Sequence, residues 1–249
     1  MNDQPHVTAP ALSGAHNIRD LGGIALGGGG RTRPGVFLRG DALLGLDTDG
    51  LRSLLDGGLV TILDLRTDEE VAMGPNPLAG HADVTYAHMP LYRGLATIEA
   101  MTQARPGGFD MGERYRVALD QCADNFAEAL GFLAGADSTV LFHCTAGKDR
   151  TGLIAALLLL NAGATRDAVV ADYALTASYG AGLMDVLRAK ARARGGAPEH
   201  VERVLGSKPE TMAATLDWLD ESYGGVEPYL RDIGLSDETR ATLKARLAG

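Results

Sequence analysis

The clearest chemistry in the chain lies in the segment His-Cys-Thr-Ala-Gly-Lys-Asp-Arg-Thr-Gly at residues 143–152, where Cys144 and Arg150 are separated by five residues. A short apolar run at residues 139–143 predicts a strand before this segment, and a helix is expected to begin near Arg150. A loop that enters a helix N-terminus directs backbone N–H groups and a positive dipole end at one small volume. The segment therefore suits a phosphate dianion.

The side chains of this segment have distinct predicted roles. A positive field favours a thiolate over a thiol, so Cys144 is the expected nucleophile, and the planar fork of Arg150 can bind two phosphate oxygens at once. Gly147 permits a backbone turn that a side chain would restrict. The Thr151 hydroxyl is placed to reach the Cys144 sulfur and ease its departure from a phosphocysteine. His143 is expected to hydrogen-bond nearby backbone and tune the thiolate.

This Cys-x5-Arg spacing, with its flanking strand and helix, resembles the signature of the protein tyrosine phosphatase superfamily. Phe142 stands where that family usually has Val or Ile, and it still fits a strand core. The resemblance implies a phosphocysteine intermediate and no metal or organic cofactor. It implies a phosphate-binding loop made of Thr145, Ala146, Gly147, Lys148, Asp149 and Arg150.

A narrower resemblance rests on three short motifs: Asn-Ile-Arg-Asp-Leu-Gly-Gly at 17–23, Leu-Arg-Gly-Asp at 38–41 and Gly-Lys-Asp-Arg at 147–150. They are similar to the atypical bacterial and fungal tyrosine phosphatases of the B type, which include triple-specificity and phosphoinositide-active members. The substrate implied is a phosphorylated protein, on tyrosine and also on serine or threonine, or a phosphoinositide. By general character, the helices at about 165–208 match that family's two-helix lid, or they are plain packing helices.

The general acid that protonates the leaving oxygen has two candidates. The resemblance points to Asp149, whose alternative role is to orient Arg150. Asp64, just after an apolar strand, is the second candidate, with a cap or a partner for Arg66 as its alternative. Lys148 either contacts a second phosphate, as on an inositol ring, or points outward and only raises the local potential.

Other polar residues are expected to support the loop or to lie in the core. Arg19, Asp20 and Arg39 are predicted to form a buried polar network near it. Cys122 lies on the apolar face of a predicted helix and is expected to be a core residue. The remaining histidines have no metal-ligand spacing, so no metal site is expected.

Alternating strand and helix signals predict an α/β fold in one domain over residues 1–249, with a central, mostly parallel sheet, helices on both faces and a helical C-terminal part. Residues 1–12 are polar and predict a flexible arm. A hairpin is expected to turn at the glycines of residues 27–30, between apolar segments 24–26 and 36–38. Apolar spacing predicts one long helix over about 111–133.

Composition narrows the class of protein. A net charge of −9 argues against nucleic acid or anionic membrane as a general partner. Two cysteines and no recognisable signal peptide favour a cytoplasmic location, although export without a cleaved signal stays open. The longest strongly apolar run, residues 153–160, falls short of the roughly 20 residues of a membrane span and predicts a buried helix.

Two other functions are compatible with the motif. One is a phosphate-ester-binding module without catalysis, which the presence of Cys144, Arg150 and Thr151 disfavours. The other is a different cysteine-loop reaction, such as arsenate reduction or sulfur transfer, which the absence of a shuttle cysteine near Cys144 disfavours.

Overall fold

The computed structural model describes residues 14–104 and 108–248, so the arm predicted for residues 1–12 lies outside the described part. The strands are β1 (Arg19–Asp20), β2 (Phe37–Gly40), β3 (Leu59–Asp64), β4 (Thr85–His88) and β5 (Thr139–His143). The helices are α1 (Thr48–Asp56), α2 (Asp68–Met73), α3 (Ile98–Ala104), α4 (Met111–Gln121), α5 (Ala123–Gly135), α6 (Asp149–Ala162), α7 (Arg166–Ala174), α8 (Thr176–Tyr179), α9 (Ala181–Ala193), α10 (Pro198–Leu205), α11 (Pro209–Tyr223), α12 (Val226–Asp232) and α13 (Asp237–Ala248).

The five strands form one sheet in the order β1-β2-β5-β3-β4, and only β1 runs antiparallel to its neighbour. This confirms the predicted α/β fold with a mostly parallel sheet. In the strand register, His143 of β5 pairs with Gly40 of β2 on one side and with Asp64 of β3 on the other. Asp64 pairs in turn with His88 of β4. The carboxyl ends of the four parallel strands therefore meet at one edge, where α/β proteins place their ligands.

The sheet has an apolar core on each face, as its strand alternation requires. On β5, Leu141 packs in a smaller core with Leu54 of α1, whereas Val140 and Phe142 pack in the larger core. The larger core also contains the apolar run of residues 153–160 within α6, as expected of a buried helix. Helices thus cover both faces.

Two predicted elements differ in the structure. The apolar helix over 111–133 is two helices, because Cys122 leaves helical geometry (φ −108°, ψ 22°) between α4 and α5. The apolar spacing continues through this break because Cys122 still packs in the core, 2% exposed. The glycine hairpin exists, but Ala25 pairs with Arg31, while β2 pairs with β1.

Two helices, α2 and α3, lie in segments for which the sequence predicted no helix. Helix α7 lies inside the segment predicted as a lid, yet Val169, Asp172 and Tyr173 on it are buried. Of that segment, only α9 and α10 remain as a candidate lid. No helix within residues 14–104 and 108–248 is long and apolar enough to cross a membrane.

Candidate active site

The loop between β5 and α6 has the geometry of an anion-binding turn. Cys144 directly follows β5, and α6 begins at Asp149 with no side-chain cap on its N-terminus. The first amides of a helix have no partner within the helix. An uncapped end of this kind, on a helix of 14 residues, offers N–H groups and a positive dipole end to a ligand.

Three successive carbonyl groups of this loop are hydrogen-bonded to groups outside it. The pairs are Thr145 with the Ala42 amide (3.3 Å), Ala146 with the Asn17 side-chain amide (2.8 Å) and Gly147 with Arg39 Nη2 (2.8 Å). In a trans peptide the C=O and the following N–H point in opposite directions. The amides of Ala146, Gly147 and Lys148 therefore face the inside of the loop.

Gly147 has a backbone conformation that side chains rarely adopt, with φ of 67°. A Cβ atom at this position would lie 2.5 Å from the carbonyl oxygen of Gly40 and 2.9 Å from the Asn17 side chain. Close packing and positive φ both require glycine here. The predicted need for Gly147 is confirmed, and it packs against Gly40 of the 38–41 motif and Asn17 of the 17–23 motif.

A buried ion-pair network supports the loop from behind. Asp172 of α7 accepts from Arg19 Nε at 2.8 Å and from Arg39 Nη1, and all three residues are less than 4% exposed. The network predicted for Arg19 and Arg39 is confirmed, whereas Asp20 lies elsewhere and accepts from the amides of Gly22 and Gly35. Asp172 was not predicted as part of this network, because no local sequence signal pairs it with the two arginines.

Arg150 is held by Glu70, a residue that the sequence analysis also missed. Glu70 Oε1 accepts from Arg150 Nη2 at 2.8 Å, and Glu70 Oε2 accepts from Nη1, so the Nε–H lies outside this pair. Thr145 donates its hydroxyl to the same carboxylate. Burial would raise the pKa of Glu70, but its bonds and charge interaction with Arg150 lower it to about 2. Glu70 is thus an anion that fixes the Arg150 guanidinium.

Asp149 is positioned by tyrosines rather than by Arg150. Tyr115 donates its hydroxyl to Asp149 Oδ1 at 2.6 Å, and its oxygen lies 2.9 Å from the Tyr173 hydroxyl. Since Tyr115 has one proton, which it gives to Asp149, Tyr173 must be the donor between the two tyrosines. The Asp149 side chain is 26% exposed and stands in the first turn of α6. A partly exposed carboxyl beside the loop can reach a leaving group.

The surroundings of Asp64 argue against its predicted role as the general acid. It is fully buried, and its carboxylate accepts from Arg66 Nε and Nη2 and from the Tyr86 hydroxyl. Burial raises the pKa of Asp64, but these bonds and the nearby His143 outweigh it and bring the pKa to about 2. A buried carboxylate with that pKa carries no proton at neutral pH to donate. The structure instead shows the alternative role, in which Asp64 is the ion-pair partner of Arg66.

His143 is buried between the Cys144 backbone and the Asn76 side chain. Its Nδ1 lies 3.1 Å from the Cys144 carbonyl oxygen, and its Nε2 lies 2.9 Å from the Asn76 side-chain amide. Burial lowers the pKa of His143 below 6.5, so the ring is neutral at pH 7, with Nδ1 donating and Nε2 accepting. The expected hydrogen bond to backbone near Cys144 is present.

Lys148 neither points outward nor faces the inside of the loop. It is 1% exposed, and its ammonium donates to the carbonyls of Val204 and Gly206 at the end of α10. The alternative that the Lys148 side chain points outward is therefore wrong. Contact with a second phosphate would require these two bonds to break. Lys148 therefore connects the β5–α6 loop to the candidate lid.

Cys144 and Thr151 are both buried, at 1% and 0% exposed. The Thr151 hydroxyl has no hydrogen-bond partner among the described residues. The second cysteine, Cys122, lies in the core with its sulfur 3.7 Å from the Arg93 carbonyl oxygen, as expected for a packing residue.

Comparison with known proteins identifies relatives of this chain. A sequence model of the tyrosine phosphatase family matches residues 10–249. A tyrosine-protein phosphatase of Nostoc commune is 34% identical over 81% of this chain and 69% of its own length. The triple specificity protein phosphatase PtpB of Mycobacterium tuberculosis is 30% identical over 96% of this chain and 98% of its own length.

Proposed function

This chain belongs to the tyrosine phosphatase family, and we propose that it hydrolyses phosphate monoesters by attack of Cys144 on phosphorus. The observation that carries the mechanism is the outward bonding of three successive loop carbonyls, which directs the following amides inward. These amides, the uncapped end of α6 and Arg150 form a cradle for three phosphate oxygens.

In the first step the Cys144 sulfur forms a bond to phosphorus while the bond from phosphorus to the leaving oxygen breaks. Loop amides and the Nε–H of Arg150 bind the non-bridging oxygens. Asp149 gives its proton to the leaving oxygen, which departs as an alcohol or phenol. Tyr115 holds the Asp149 carboxylate through the 2.6 Å hydrogen bond.

In the second step water attacks phosphorus and the sulfur leaves as a thiolate. Asp149 takes the proton from the attacking water, which returns the acid to its starting form. The unpartnered hydroxyl of Thr151 donates to the departing thiolate. Orthophosphate is released, and the enzyme is ready for another cycle.

The substrate range follows from the relatives. One relative is named a triple specificity phosphatase, and the alignment covers nearly the whole of both chains. On that basis the chain accepts phosphotyrosine and also phosphoserine or phosphothreonine, with phosphoinositides as the further class suggested by the sequence motifs. The cytoplasmic location stays a prediction from the sequence.

Helices α9 and α10 serve as a lid in this proposal. Cys144 is only 1% exposed, so a substrate cannot reach its sulfur without some displacement of the surrounding chain. The bonds from Lys148 to the end of α10 hold that helix beside the loop. Lid opening breaks these two bonds and admits the phosphate ester.

The test is phosphate release by the wild type and Cys144→Ser, with a metal chelator present, from an aryl phosphate, phosphotyrosine and phosphoserine peptides, and phosphoinositides. We expect Cys144→Ser to abolish release and still bind the esters. Release at the wild-type rate from Cys144→Ser would exclude the thiol mechanism. Tight phosphopeptide binding without release by the wild type would instead indicate a binding module.

A further inference from the structure

Tyr92 is a tyrosine of the active site that the mechanism above does not use. It lies between β4 and α3, at the edge of the sheet where the parallel strands end. Two backbone bonds fix this stretch to the end of β3: the Met89 amide donates to the Asp64 carbonyl (2.9 Å) and the Leu91 amide to the Leu65 carbonyl (3.3 Å). The position of Tyr92 is therefore set by the sheet.

Two guanidinium groups lie against the ring of Tyr92. Arg150 Cζ is 5.7 Å and Arg114 Cζ is 5.2 Å from the ring centroid. These contacts place the ring beside the phosphate clamp. They also fix its orientation, because turning the ring away would cost both cation–π contacts.

The hydroxyl of Tyr92 is buried and has no hydrogen-bond partner within the described part of the chain. A buried polar group without a partner destabilises the fold, and such groups often have a functional explanation. Burial comes first among the causes that raise the pKa of Tyr92 well above 10.0, followed by the charge of Asp149, with a contribution from Cys144. The hydroxyl is thus a permanent donor close to the catalytic loop.

We propose that the Tyr92 hydroxyl donates a hydrogen bond to a non-bridging oxygen of the bound phosphate group. The loop amides and Arg150 reach that group from the β5–α6 side, and Tyr92 adds a donor from the β4–α3 side. The proposal rests on the proposed phosphatase function, since it needs a phosphate at Cys144. It makes Tyr92 a substrate-binding residue with no part in proton transfer.

The test compares Tyr92→Phe with the wild type in binding inorganic phosphate, measured by calorimetry, and in thermal unfolding without ligand. Phenylalanine keeps the ring in contact with both arginines and removes only the hydroxyl. We expect phosphate binding to weaken by about tenfold or more, since a hydrogen bond to a charged group is stronger than one between neutral groups. The melting temperature without phosphate should stay equal or rise, because an unpartnered hydroxyl is removed.

Two control variants make the outcome specific. Tyr223→Phe removes a hydroxyl bonded to Asp120, distant in sequence from the loop, and should leave phosphate binding unchanged. Tyr115→Phe removes a hydroxyl that already has partners and should lower the melting temperature. Unchanged phosphate affinity in Tyr92→Phe, or a melting temperature lowered as in Tyr115→Phe, overturns the proposal alone. A wild type that binds no phosphate overturns the proposed function as well.

Discussion

Glu70 accepts hydrogen bonds from both terminal nitrogens of Arg150, across a separation of 80 residues. The same carboxylate also accepts the Thr145 hydroxyl, so one side chain of α2 fixes two residues of the phosphate loop. Arg150 is held from behind, and its Nε–H stays available to a phosphate oxygen. Ordering the clamp before substrate arrives reduces the entropic cost of binding.

Replacing Glu70 with glutamine should therefore weaken phosphate recognition. Glutamine can keep the capping box at the start of α2. It has only one acceptor oxygen and no negative charge, so it cannot replace the two charged hydrogen bonds to Arg150. We expect kcat/KM to fall by about tenfold or more, as for the loss of a charged hydrogen bond. Glu69→Gln, on the exposed side of the same helix, is the matched control and should retain wild-type kinetics. Equal kinetics in both variants would contradict this role.

The same variant should change the response to acid. The pKa of Glu70 falls from 4.5 to about 2 on folding, so the folded form binds this proton less tightly than the unfolded one. The resulting stabilisation is complete above pH 4.5 and is lost as the pH falls towards about 2. Glu70→Gln should show a shallower loss of unfolding free energy across this window, measured by urea denaturation at successive pH values. If the unfolding free energies of the wild type and Glu70→Gln change in parallel with pH, the Glu70–Arg150 pair does not stabilise the fold.

Asp149→Asn should affect poor leaving groups more than good ones. An asparagine cannot protonate the leaving oxygen, which matters for a phosphoserine peptide and much less for an activated aryl phosphate. A loss of about 10²–10⁴-fold is expected with the poor leaving group. Asp167→Asn, an exposed residue in the first turn of α7, is the control for loss of an acidic group at a helix start. Equal losses on both substrates would exclude Asp149 as the acid.

Asp172→Asn should destabilise the fold, because Arg19 and Arg39 would be left as buried cations without a carboxylate. Removing one partner of a buried ion pair costs about 3–5 kcal/mol. Asp217→Asn, at an exposed pair with Arg166, should change stability by less than about 1 kcal/mol. Chemical denaturation measures both. A small effect for Asp172→Asn would mean that water replaces the carboxylate.

Lys148→Met should loosen the end of α10. Methionine fills similar space but cannot donate to the Val204 and Gly206 carbonyls. Amide hydrogen exchange in α9 and α10 should become faster, with little change in α6. Lys244→Met, exposed on α13, should leave the exchange pattern unchanged. Unaltered exchange in α10 after loss of the ammonium would rule out Lys148 as the tie between loop and lid.

The part of the site that the sequence predicted is the part that is local in the chain. Cys144, Gly147 and Arg150 come together through one turn, so their spacing is enough to predict their geometry. The strand before the loop was predictable for the same reason, since β5 was expected at its observed residues. The mostly parallel sheet was predictable because strand and helix signals alternate along the chain.

The residues that escaped prediction act across long separations. Thr67 and Glu70 have the spacing of a capping box, a local signal that would have predicted α2. No local signal pairs Glu70 with Arg150. The break between α4 and α5 was equally invisible, because Cys122 keeps the apolar spacing on both sides.

The ion pair between Arg19 and Asp172 joins residues 153 positions apart. A ribosome makes Cys144 and both buried arginines before it makes the aspartate that neutralises them. Until α7 is made and docks, the nascent chain carries the loop of residues 144–150 without the ion pairs that support it from behind. A chain that stops before Asp172 would therefore have the signature motif and lack this support.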